Sequence, residues 1–171
     1  MAMRIELRRV EHSPALSRET NAFSADVWID GRKEGRAHNQ GQGGCTEVEP
    51  DALRLRLDVH GRAQPARTLR PMGNPTPLTI QPDAEWIVDQ LLEDWIVRRD
   101  MKRGLQRRLI YTKPGLPGLY QSVTLTPEEM RRLLASEEVR VRWQVETWLN
   151  TLPEAEALAL YRERACQGGQ G

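Results

Sequence analysis

Three groups of residues in this chain have types and spacing that could do chemistry. The first is the loop Asn39-Gln-Gly41-Gln-Gly43-Gly44. Gly41, Gly43 and Gly44 free the backbone to turn N–H groups toward an anion such as a substrate phosphate. The spacing is neither a dinucleotide fingerprint nor a P-loop, because no Lys-Ser/Thr pair follows and no helix is expected directly after it. The plain alternative is a tight connection between two strands. As a binding loop it would offer Asn39 and Gln42, both expected in solvent, to a partner protein.

The second group is the basic run Arg98, Arg99, Lys102, Arg103, Arg107 and Arg108, six cations in eleven positions. Such a patch could neutralise several phosphates of a nucleic-acid backbone. On a helix Arg98 and Lys102 share a face, as do Arg99 and Arg103. The alternative is compensation of a helix dipole on a solvated end. Aromatic interleaving, which favours single strands, is lacking apart from Tyr111.

The third group is Asp26, Trp28 and Asp30, expected on the outward face of one strand. Four residues of strand separate the two carboxylates by about 13 Å, too far to share a metal ion. Trp28 is either packed under a helix or an exposed anchor for a partner.

Catalytic and metal signatures are otherwise missing. His12, His38 and His60 have no metal-ligand spacing, and HExxH and GxSxG are absent. Cys45 and Cys166 form no CxxC pair. His38 near Cys45 is a weak idea for a ligand or nucleophile. No catalytic residue, cofactor or metal is assigned on these grounds. The formal net charge of +1 argues against a bulk basic nucleic-acid binder and against an acidic DNA mimic. Met1–Ser13 has no long apolar run, and no stretch approaches the 18 apolar residues of a membrane span. The expectation is therefore a cytoplasmic protein with no membrane association and free thiols.

Positioning these groups requires strands first and helices later. Phe23, Ala25, Val27 and Ile29 alternate with polar neighbours, and Met3, Ile5 and Leu7 do the same. Asp30-Gly31 is a hairpin turn into a strand over 32–38. Pro50 opens a helix with Leu53 and Leu57 on one face and Gly61 as its stop, although Leu53, Leu55, Leu57 and Val59 would also alternate in a strand. Five prolines over 62–82 predict a surface loop without regular structure.

An amphipathic helix is expected over 83–103, with Trp86 and Trp95 on it and Gly104 ending it. A second hairpin pairs 109–112 with 119–125. Thr126-Pro-Glu-Glu129 is a capping box, a helix over 137–149 carries Trp143 and Trp148, and a last helix follows Pro153. The fold class is α+β: an antiparallel N-terminal sheet with a Gly-rich loop, a long amphipathic helix, a second hairpin and C-terminal helices. A single domain over 1–166 with a disordered tail over 167–171 is expected.

The run Phe23-Ser-Ala-Asp-Val-Trp-Ile-Asp-Gly31, continuing through Gly35, Asn39, Gly41, Gly43 and Gly44, resembles an extended YLDGK.VG...N.G.GG stretch. That stretch belongs to small uncharacterised proteins of bacterial genomes and prophages. Leu92-Glu-Asp-Trp95 is similar to their LxxDW helix, and Leu152-Pro153 with Glu156-Ala-Leu-Ala-Leu-Tyr161 to their LP..EAL..Y ending. The resemblance carries no assigned chemistry. It implies a phage or mobile-element setting, where small proteins without catalytic motifs bind and inhibit host protein complexes such as defence systems. An anti-CRISPR protein is one candidate of that kind. A nucleic-acid backbone binder, and an enzyme acting on a phosphate-containing substrate at the glycine loop, are the alternatives. The sequence does not give the oligomeric state.

Overall fold

The computed structural model describes residues 3–69 and 76–165. The expected disordered tail, Cys166 and part of the proline-rich segment lie outside them. The fold is α+β, and the chain divides into two compact units, Met1–Asp94 and Trp95–Gly171.

The first unit begins with an antiparallel meander, β1 (Ile5–His12), β2 (Ala22–Ile29), β3 (Arg32–Gln40) and β4 (Glu47–Glu49), in that spatial order. Alternation places Phe23, Ala25, Val27 and Ile29 on the buried face, with Ala37 and Val48 from the neighbouring strands. Asp30 (φ 49°) and Gly31 (φ 82°) form the two-residue β2–β3 turn, and both positive φ angles match the twist of a hairpin. Asp30 thus sits in the turn and not on the strand's outward face.

Helix α1 (Asp51–Arg62) follows β4, with Leu53 and Leu57 buried. Its last turn runs past Gly61, the expected stop. That residue is buried, and a Cβ there would collide with the Pro82 carbonyl. The proline-rich segment is not free of regular structure: β5 (Arg67–Leu69) pairs antiparallel with β6 (Leu78–Ile80). Each strand is only three residues long and fits between prolines, which flank the ladder without interrupting it.

Helix α2 spans Ala84–Arg107, longer than expected, and Gly104 lies inside it. Its first half carries the buried Ile87, Val88 and Leu92 of the first unit.

In the second unit β7 (Ile110–Thr112) pairs with β8 (Tyr120–Gln121), a shorter hairpin than expected, and with β9 (Thr147–Trp148) on its other side. The capping box forms at α3 (Pro127–Leu134): the Glu129 N–H donates to Thr126 Oγ1, and the Thr126 N–H donates to Glu129 Oε2. Helix α4 (Glu137–Trp143) stops six residues early because Gln144 turns left-handed at φ 55°, so Trp148 lies on a strand and not on that helix. A 3-10 turn, Leu149–Thr151, leads into α5 (Glu154–Ala165).

Tyr111 is the centre of an aromatic cluster, with ring centroids 5.2 Å from Trp148, 5.6 Å from Trp143 and 5.8 Å from Tyr120. Such pairs add about 0.5–1.5 kcal/mol each beyond area burial. A second cluster gathers Met101, Ala157 and Leu158 where α2 meets α5.

Candidate functional site

At one end of the meander the β1–β2 loop and the glycine loop between β3 and β4 are tied together. Asn39 does most of the tying. Its Oδ1 accepts from Thr20 Oγ1 at 2.8 Å and from the Gly41 N–H at 2.8 Å, and its Nδ2 donates to the Gly44 carbonyl at 2.8 Å. The Arg18 and Glu19 N–H groups both donate to the Gly41 carbonyl, at 2.9 and 3.1 Å. Ser17 closes the other loop, donating to the Ser13 carbonyl at 2.8 Å and accepting from the Ala22 N–H at 2.9 Å.

This overturns the expectation that the Asn39 side chain faces solvent: the residue is 8% exposed. The signal was present in the sequence, because an Asn two residues before a Gly readily forms an Asx-turn. Gln42 is exposed, as expected.

The three glycines differ. Gly41 (φ 82°) and Gly43 (φ 84°) are left-handed, and a Cβ on Gly41 would strike the Leu16 carbonyl. Gly44 has open space around it and no positive φ. The Gly41 N–H is taken by Asn39, and the Gly43 N–H points to Thr20 Oγ1 at 3.4 Å, so these two amides serve the loop itself.

Beside the paired loops lies an open groove of about 890 Å³. Ala22 and Phe23 lie buried at its base. Leu16 is 62% exposed beside them, and Glu11, His12, Arg18, Glu19, Gln40 and Gln42 are among the polar residues of the lining. His12 Nε2 lies 3.3 Å from Asn21 Oδ1.

The polar face of the sheet holds a carboxylate that pattern reading put in solvent. Asp26 is 6% exposed. It pairs with Arg9 at 2.5 Å and with Lys33 at 2.7 Å. Arg9 reaches it from a β-bulge, where the register slips between Arg8 and Glu11 and φ is 49°. The hydrogen bond from Lys33 holds the Asp26 carboxyl below the usual range; burial opposes this, and the charges of Arg9 and Lys33 reinforce it. Both cations come from other strands, which is why the sequence of β2 alone concealed the burial. Trp28 is not laid open as an anchor. The Arg8 guanidinium covers its ring at 4.1 Å, and Glu6 holds Arg8 at 2.7 Å.

A further tie joins the end of the glycine loop, just before β4, to α2. The Thr46 N–H donates to Glu85 Oε1 at 2.9 Å, and its Oγ1 donates to Asp89 Oδ1 at 2.7 Å. Partial desolvation raises the Asp89 pKa; the Thr46 hydrogen bond opposes the shift, and Glu85, Asp83 and Glu93 add to it.

The basic run lies partly on ion pairs within its own unit. Arg98 and Lys102 both meet Glu154, at 3.6 and 3.0 Å. Arg99 pairs with Asp100 at 2.8 Å and stacks over Trp95 at 5.0 Å. Arg108 donates to Gln121 at 3.0 Å. Arg103 and Arg107 are exposed one turn apart near the end of α2. The six cations therefore do not form one uncommitted patch.

Cys45 is exposed, and His38 lies 3.3 Å from Glu47. Among the described residues no group of His, Cys, Asp and Glu could hold a metal ion. Among them, too, no helix is long and apolar enough to cross a membrane. No protein-family model, no curated protein and no solved structure matches this chain.

Proposed function

We propose that this chain is a non-enzymatic binding protein that takes a segment of a partner protein into the groove at the loop end of its first unit. The observation that carries this reading is the construction of the groove. Leu16, 62% exposed, supplies apolar surface above the buried Phe23, and Arg18, Gln40 and Gln42 supply hydrogen-bonding groups around it. Binding sites combine apolar lining with a few polar groups in this way. The backbone under those residues is held by Asn39, so little ordering cost falls on binding. The resemblance to prophage proteins suggests a host protein complex, such as a defence system, as the partner. A cytoplasmic setting goes with that reading.

Affinity capture from nuclease-treated bacterial lysate tests it. The wild-type chain and an Arg103→Glu/Arg107→Glu variant should retain the same host protein. An Arg18→Ala/Gln42→Ala variant should lose it while keeping its circular-dichroism spectrum. Capture unaffected by the groove variant would sink the proposal.

A second reading, a nucleic-acid backbone binder, draws on Arg103 and Arg107, exposed one turn apart on α2. Affinity would then fall steeply with salt, since released counterions drive such association. Reversing both charges would abolish it.

A further inference from the structure

Helix α1 carries two apolar faces, and the sheet uses only one. Leu53 and Leu57 are buried. Leu55 and Val59, one turn apart, are 59% and 67% exposed. Ala52 shares their face at helical spacing and is also exposed. This second face is what makes the sequence of α1 readable as a strand: every other residue from Leu53 to Val59 is apolar because two faces are.

The ends of the exposed face carry opposite charge. Asp51 stands at the N-terminal end, with its side chain 91% exposed and only a loose 3.9 Å contact to Arg54. Arg62 stands in the last turn, exposed. Asp51 and Arg62 lie about 16 Å apart along the axis, from a rise of 1.5 Å per residue.

We propose that this face is a self-association surface, and that its occupant is α1 of a second copy of this chain, running antiparallel about a two-fold axis level with Leu57. In that register Leu55 of one copy meets Val59 of the other, and each Asp51 meets an Arg62. A two-fold interface must be complementary to itself, and a helix acidic at one end and basic at the other meets that condition only when antiparallel. The apolar strip is short, well below the roughly 800 Å² per partner of a stable complex. The dimer is therefore weak and forms at high concentration. This inference is independent of the groove.

Sedimentation velocity of the full chain, from micromolar to near-millimolar concentration, is the test. The average mass should rise from monomer toward dimer. Asp51→Arg should weaken association by about tenfold or more, the equivalent of 1.4 kcal/mol. Asp51→Arg combined with Arg62→Asp should restore it, and Leu55→Ser with Val59→Ser should abolish it, all with unchanged circular dichroism. A monomer at every concentration overturns the proposal. So does a dimer indifferent to Asp51→Arg, or a chain that stays monomeric while Leu55 and Val59 hold a different protein.

Discussion

Asn39 and Asn150 do similar chemistry in two regions and leave different surfaces behind. Asn39 accepts from Thr20 and Gly41 and donates to the Gly44 carbonyl. Asn150 accepts from the Ile110 N–H at 2.9 Å and donates to the Leu105 and Arg108 carbonyls at 3.0 and 2.9 Å. Asn150 closes the end of α2 onto β7, beside Leu109 and Leu149, which are fully buried. Asn39 ties two surface loops and leaves a groove open beside them. An amide hub therefore does not mark a candidate site by itself; under the proposed function it is the accessible surface held in place by Asn39 that matters.

The largest expected effects come from removing the hubs. Asn39→Ala and Asn150→Ala should each cost about 2–3 kcal/mol in urea denaturation, since each leaves several partly buried groups without partners. They should part in function: Asn39→Ala loses partner capture beyond its loss of stability, and Asn150→Ala keeps it at temperatures where it is folded. Equal loss of capture would break the comparison.

Next in size is Gly41→Ala, expected to cost about 2 kcal/mol because the new Cβ meets both a left-handed φ and the Leu16 carbonyl. Gly44→Ala, with neither obstacle, should stay within about 0.5 kcal/mol. Thermal melts of the pair separate a loop position that needs glycine from one that does not.

The two carboxylates near this region should respond to pH in opposite senses. Asp26 is held low, so its contribution to stability is present above the ordinary Asp range and is lost as pH falls through its folded value. Asp89 is raised, so the folded state loses stability as pH rises through its folded value. Asp26→Asn should flatten the acid limb of the stability curve. Asp89→Asn should stabilise the protein at neutral pH, by about 0.5 kcal/mol or less because the side chain is solvent-screened. Denaturation midpoints across the acid range check both signs.

Much of this frame was legible in the sequence, and the gaps have physical causes. The β2 alternation, the Asp30-Gly31 turn and the Thr126–Glu129 capping box are local devices, and each formed where expected. Gly104 failed as a stop because α2 keeps its hydrogen bond from the Arg108 N–H to the Gly104 carbonyl, while Asn150 from a distant segment satisfies the carbonyls beyond. The end of α4 had no glycine to announce it, since Gln144 takes the left-handed position itself. Asp26 and Asn39 are buried by partners from other strands and loops, which no local pattern encodes. Of the candidate site, the glycine loop and Gln42 were visible in advance. The groove was not, because Leu16, Arg18 and Phe23 reach it from a loop and a strand far from Gln42 in sequence.

Site-specific photo-crosslinking tests the central claim most directly. A photoreactive residue placed at Gln42, on the groove, and separately at Arg103, on the basic helix end, is irradiated in bacterial lysate after nuclease treatment. The position-42 probe should give one dominant adduct with a host protein, and Arg18→Ala should diminish it. The position-103 probe should give none. Adducts at position 103 with none at position 42 would contradict the account.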